Sequence, residues 1–155
     1  MQDKYASINT FWLMFELVLR LKPRLSEAAN KRNLTAMQLH VLGFLSDEDP
    51  HPMSWIATLL HCDASNVTGL VDRLVSMELV ERTENPKDRR IKMVQLTQKG
   101  KHLRTEIMQE LTEESQISVD NLLDKKEQTC FRQLIIRLLT ENSDDINYSC
   151  PAAKK

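Results

Sequence analysis

The sequence predicts a mainly helical chain with a small β component, an α+β class, and three observations carry that expectation. Apolar residues recur at three- and four-residue steps through most of the 155 residues, the mark of helices that bury one face. Gly at 3 and Pro at 5 are too few for a turn-rich all-β chain or a collagenous one. Only one stretch, Val80 to Leu96, holds two short strand-like runs around a turn signal, as a single hairpin requires. The length fits one domain that buries roughly two-thirds of the surface its unfolded chain exposes.

The first element is Phe11 to Leu21, "FWLMFELVLRL", apolar everywhere except Glu16 and Arg20. Those two lie four apart and form an ion pair on one narrow stripe. A helix on the surface of a monomer needs only one apolar face, so this one is either a core helix or a helix shared with another subunit. Pro23 ends or bends it. A second helix starts behind Thr35 as N-cap, with Leu39, Leu42 and Leu45 in phase, and runs to the loop Ser46-Asp47-Glu48-Asp49-Pro50.

Ser54 is expected to cap a short helix over residues 55–61, and Asp63 a longer one over residues 64–77. The result is helix, three-residue turn, helix, with Val67, Leu70, Val71 and Leu74 as the inner stripe of the second helix. In any bundle this is an ordinary helical hairpin; a nucleic-acid reader needs small polar residues on the outer face of its second helix. Ser65, Asn66, Thr68 and Gly69 supply them. The hairpin follows, Asn85 and Pro86 suiting the first positions of a type I turn in the tip "NPKDRR". Val94 and Leu96 alternate as a half-buried strand should, whereas Ile91 and Met93 fall on the other phase, which calls for a bulge or exposed apolar residues near the tip.

Thr97 begins a long helix with Leu103, Ile107 and Leu111 in phase, extending to about Val119. Asp124 and Glu127 form a capping box before the stripe Phe131, Leu134, Ile135, Leu138 and Leu139. The terminal helices offer more apolar surface than one small central core covers. Homodimerisation through both chain ends is therefore expected, with Phe11, Trp12, Phe15, Phe131, Leu134, Ile135 and Leu138 in the contact. The chain divides into an N-terminal dimerisation helix (1–33), a DNA-binding-like centre (34–100), C-terminal dimerisation helices (101–141) and a tail (142–155).

The formal net charge of -1 excludes a uniformly basic coat, so polyanion binding must come from a local cluster. Between Asn85 and Thr105 the cations Lys87, Arg89, Arg90, Lys92, Lys99, Lys101 and Arg104 face only Asp88. Three cysteines, Cys62, Cys130 and Cys150, without CxxC spacing fit a reducing cytosol rather than a disulfide scaffold. No signal-peptide pattern and no bilayer-length apolar run is present, so the expectation is a soluble cytoplasmic protein with no membrane partner. His40, His51, His61 and His102 are scattered, which points to no metal site. Gly-rich phosphate loops and G-x-S-x-G or H-E-x-x-H motifs are lacking, so neither enzyme nor cofactor is expected.

Helix-turn-helix, then a basic-tipped hairpin, then "LTQKG" resembles the MarR family of bacterial transcriptional regulators. The matching runs are "NLTAMQLHVLGFL" and "MSWIATLLHCDASNVTGLVDRLVSMELVERTENPKDRRIKMVQLTQKG" with their helical flanks, about residues 5 to 141. The resemblance implies a winged helix-turn-helix with a two-stranded wing, and a dimer that holds pseudo-palindromic duplex DNA, acting most simply as a repressor. It implies recognition helix 64–77 in the major groove, with Ser65, Asn66 and Thr68 at base edges, and wing 80–96 in the minor groove, with Arg90 inserted. Asp88 is expected to orient Arg90 or to pair with Arg73, while Lys87, Arg89 and Lys92 contact phosphate. At the helix start, Asp63 should already satisfy the free amides with its carboxylate.

Two positions depart from the family pattern. Glu78 stands where a glycine usually precedes the first wing strand, which demands a strained left-handed residue or a different helix end. Gly69 replaces a larger, often basic residue. Many relatives answer small aromatic or amphipathic effectors, for which Phe15, His40, Phe44 and Trp55 are the candidate lining here. Two other readings stay open: a winged-helix module that binds a protein through the same helix face, and a thiol-based redox sensor acting through Cys62.

Overall fold

The computed structural model describes residues 5–113 and 122–140. Helix α1 spans Thr10–Asn30, its first turn closed by Asn9, whose side chain accepts from the Phe11 amide at 2.8 Å. Pro23 does not end it. The ring is exposed, and the helix runs on to seat Ala28 and Ala29, its only buried residues. Phe11 through Leu25 therefore lie outside the core of the single chain. Arg20 does pair with Glu16 at 2.8 Å, as the four-residue spacing predicts.

Helix α2, Ala36–Phe44, opens with a full capping box: Thr35 Oγ1 accepts from the Gln38 amide at 3.2 Å and Gln38 Oε1 from the Thr35 amide at 2.8 Å. After the acidic loop comes β1, only His51–Pro52, paired with β3. Its length and its proline hid it from sequence reading; an edge strand tolerates a proline because one side of it has no partner to satisfy. This strand resets the next helix. Helix α3 covers Met53–Leu60, with Pro52 at the N-cap position and no side-chain cap, so Ser54 lies inside the helix rather than before it.

The three-residue turn is as expected, and His61 at φ 47 closes α3 while the Cys62 amide reaches back to the Ala57 carbonyl at 3.1 Å. Helix α4, Ala64–Ser76, buries Val67, Val71 and Leu74. Its far end needs a left-handed residue, and Glu78 takes that conformation at φ 60. The Leu79 amide then bonds the Leu74 carbonyl at 3.0 Å and the Glu78 amide the Val75 carbonyl at 2.8 Å, the two bonds of a Schellman end.

Strands β2, Val80–Asn85, and β3, Asp88–Leu96, form the wing of a three-stranded antiparallel sheet in the order β1-β3-β2. The register slips between Glu84 and Asn85, and Ile91 is left exposed while Val94 and Leu96 are buried. Both features resolve the phase conflict in the sequence. Helix α5, Gln98–Glu113, contributes Ile107 to the core. Its start locks the base of the wing: the Thr97 hydroxyl donates to the Glu78 carbonyl at 2.6 Å, and a Cβ on Gly100 would lie 1.9 Å from Leu79 O. "LTQKG" is thus a close-packing signature, since only glycine fits that approach.

Helix α6, Lys125–Thr140, begins with the expected box, the Asp124 amide donating to Glu127 Oε2 at 2.8 Å and the Glu127 amide to Asp124 Oδ1 at 2.9 Å. No residue of α6 is buried. The expected extension of α5 to Val119 and the tail with Cys150 lie outside the described residues. Among the described residues no helix is long and apolar enough to cross a membrane, and no cluster of three metal-ligating side chains occurs.

Candidate nucleic-acid interface

The buried stripe of α4 turns Ser65, Thr68, Gly69 and Arg73 outward, all exposed, with Asn66 half-buried at the edge. Thr68 is less free than its position suggests, because its hydroxyl donates to the Ala64 carbonyl at 3.0 Å. What it offers a partner is its methyl group and its oxygen lone pairs. Asp63 occupies the N-cap position but makes no side-chain cap bond, contrary to expectation. The Asn66 amide donates to the Asp63 carbonyl at 3.0 Å, so the Ala64 and Ser65 amides keep capacity for an acceptor, and the helix dipole favours an anionic one.

The wing stands beside this helix, and two contacts set its angle. Arg82 on β2 pairs through Nη1 with Asp72 of α4 and donates through Nη2 to the Thr68 carbonyl at 3.2 Å. This replaces the expected Asp88–Arg73 link, which is not formed; the strand carries Asp88 to the tip, away from the helix. Asp88 Oδ1 instead accepts from the Arg90 backbone amide at 3.0 Å, so it shapes the turn from which Arg90 projects. Sequence reading missed Arg82 and Asp72, because two opposite charges ten residues apart show no periodic relation until the chain turns.

The basic run also divides once folded. Lys92 pairs with Glu84 at 2.8 Å, Lys99 with Glu78 at 3.0 Å, and Arg104 with Asp47 at 2.6 Å, while Lys101 donates to the Asp47 carbonyl. These four brace the wing and α5. Lys87, Arg89 and Arg90 are exposed and have no carboxylate partner among the described residues, so the uncompensated positive charge sits at the tip. Between tip and helix lies an open cleft of about 680 Å³, lined by Thr68, Arg82, Arg90 and Lys92 among others. A second notch of about 430 Å³ separates α4 from the start of α2 and is bordered by Cys62, Asn66 and Gly69.

The four candidate effector residues do not converge in one chain. His40 meets Phe44 edge-on at 4.8 Å, Trp55 stacks on His51 at 4.0 Å, and Phe15 meets Trp12 at 6.0 Å. None of the four lines the cleft or the notch. Burial, reinforced by nearby His61, holds the His40 imidazole below its usual range. Cys62 is half-buried against the core. The expected dimer residues behave differently: Phe11, Trp12 and Phe15 are 65%, 59% and 47% exposed, and Leu134, Ile135 and Leu138 are exposed with them, while Phe131 is half-buried.

Residues 34–92, from the start of α2 into β3, match the family model described as the MarR family. The HTH-type transcriptional repressor MdtR of Bacillus subtilis (strain 168) is 36% identical over 84 residues, 54% of each chain, so the match spans about half of that relative. The uncharacterized HTH-type transcriptional regulator YhbI of the same organism is 32% identical over 107 residues, 66% of this chain and 70% of that one. Among solved structures, a mutant of Staphylococcus aureus MepR bound to an oligodeoxyribonucleotide superposes with a TM-score of 0.59 at 21% identity, covering 87% of this chain and 99% of that one. Helix-turn-helix, braced wing and flanking helices together with these matches give one conclusion: the chain belongs to the MarR family of winged-helix transcriptional regulators, for which DNA binding is implied.

Proposed function

We propose that the protein is a homodimeric repressor that holds a pseudo-palindromic duplex, each copy laying α4 in the major groove and its wing tip in the adjacent minor groove. The observation that carries this reading is the separation of the cations. Carboxylates take Lys92 on β3 and Lys99 and Arg104 on α5, leaving Lys87, Arg89 and Arg90 without a carboxylate partner among the described residues, beside an exposed polar helix face. Arg90 is the inserting residue, held out by the Asp88 turn, because narrow A·T-rich minor grooves concentrate negative potential. Lys87 and Arg89 contact phosphate, Lys92 does so at the expense of Glu84, and Arg73 reaches the flanking backbone from the last turn of α4.

Dimerisation is supported by α6, none of whose residues is fully buried in one chain, and by the exposed aromatic face of α1. Exposed apolar surface of that extent marks an interaction site. Repression follows from occupancy of the duplex, in keeping with the repressor role in the name of MdtR. Release by a small aromatic or amphipathic effector is the remaining part, with His40 and Phe44 as its ready-made aromatic pair and Phe15 and Trp55 brought in by the partner copy or by lobe movement.

The test is fluorescence anisotropy on a duplex selected from a random pool by the full-length protein. Six or more phosphate contacts per dimer predict a loss of about a thousandfold in affinity between 50 and 200 mM salt. Arg90→Ala should weaken binding at least about tenfold and flatten that slope, with Tm unchanged. Binding indifferent to salt and to Arg90→Ala would remove the wing from the mechanism and favour a protein partner for the same face.

A further inference from the structure

Gly69 lies in the interior of α4, where glycine weakens a helix relative to alanine. The fold gives no reason for it. Its φ is not positive, and a Cβ placed there meets no atom within 4 Å, in contrast to Gly100. The buried residues Val67, Val71 and Leu74 fix the direction in which it faces. At about 100° per residue, Gly69 falls within roughly 20° of the pole opposite that stripe. On a duplex held by α4 it therefore points at the groove floor and its base edges, with the phosphates to either side.

The neighbour nearest that pole, Ser65 one turn earlier, is exposed and small. Arg82 draws the Asp72 carboxylate toward the wing and holds the Thr68 main-chain carbonyl, the Thr68 hydroxyl is tied back to the Ala64 carbonyl, and Asn66, like the edge of Gly69, borders the notch on the α2 side. A bare Cα at the pole admits a group about one methyl deeper than any other residue would. In the major groove the group that projects toward such a recess is the C5 methyl of thymine, which is read by apolar contact. A long basic side chain here would instead reach a guanine edge or a phosphate.

We propose that Gly69 is a specificity-determining residue whose missing side chain forms a recess for the C5 methyl of one thymine in each half-site. The inference rests on the duplex-binding reading above, and its test separates the two. A duplex selected by the full-length protein is resynthesised with each thymine replaced in turn by deoxyuridine, which removes only the methyl. Wild-type affinity should fall about tenfold at one thymine per half-site. Gly69→Ala, whose new methyl fills the recess, should lose about tenfold on the thymine duplex and recover it on the matching deoxyuridine duplex. Its Tm should rise by about 3 °C because the helix gains alanine for glycine, so the lost binding is not lost folding. Equal affinity of Gly69→Ala and wild type, or an equal loss on both duplexes, overturns the recess and leaves duplex binding standing. Failure of the wild type to enrich any duplex overturns both.

Discussion

Replacing Glu78 by glycine should stabilise the protein, although it removes an ion pair. Glu78 holds φ 60 at the end of α4, and a left-handed residue with a Cβ costs roughly 1–2 kcal/mol. Against that gain stand two losses. The pair with Lys99 spans 3.0 Å between side chains 79% and 60% exposed, a setting worth only about 0.3 kcal/mol. Glycine also adds freedom to the unfolded chain, roughly 0.5 kcal/mol. The balance is a gain of about 0.7 kcal/mol, or ~2 °C in Tm for a chain of this size. Glu78→Ala keeps the strain and loses the pair, so it should lower stability by ~0.3 kcal/mol. Urea titrations of both variants beside the wild type measure the difference in sign. The bonds that seat the wing here, from Thr97 to the Glu78 carbonyl and from the Leu79 amide to Leu74, involve the Glu78 main chain or avoid the residue altogether. DNA affinity should therefore stay within about twofold, less than the effect of one lost hydrogen bond. Equal shifts of both variants in one direction would refute the assignment of strain to this residue.

Gly100→Ala should cost about 3 kcal/mol, the upper end for overpacking, since its Cβ would sit 1.9 Å from a backbone oxygen; a wild-type urea midpoint would contradict the close approach. Leu138→Glu alters a side chain 51% exposed in the single chain, so a monomer would tolerate it. In the proposed dimer it should drop the mass seen by light scattering from near twice 18.0 kDa to near 18.0 kDa. His40, held low by burial and then by His61, takes up its proton more readily in the unfolded chain. Its contribution is intact above about pH 6.5 and is lost as pH falls below that value. The urea midpoint should decrease from pH 7.5 to 5.5, and His40→Gln should narrow the decrease.

The helices and the hairpin were legible because their signals are local. The stripe Val67, Val71, Leu74 and the box Asp124–Glu127 each lie within one element, and the structure keeps both. What escaped depends on distant partners. Strand β1 exists because β3 passes beside His51 and Pro52, and that in turn moves the start of α3. The continuation of α1 through Pro23 follows from an anchor further on, at Ala28 and Ala29. At the interface the exposed residues were readable from helical phase, but their bonding was not: Arg82 emerged as the brace only when β2 came to rest on α4. Asp63, with the right residue type at the right position, makes no cap bond, so residue preference alone overstated that contact.

The way α1 and α5 are anchored has a mechanical consequence. Ala28 and Ala29 at the end of one, and Ile107 in the other, are set in the lobe's core, and Glu110 ties the pair to Lys31 and Arg32 at 2.8 and 2.7 Å. The 21 residues of α1 make an arm about 32 Å long, stiffly clamped at its base. In the paired molecule proposed above, a tilt of roughly 5° where two such arms cross swings each lobe by on the order of 3 Å. That travel nearly equals the rise of one base pair, about 3.4 Å, so a minor adjustment at the crossing suffices to throw both readers out of step with their half-sites.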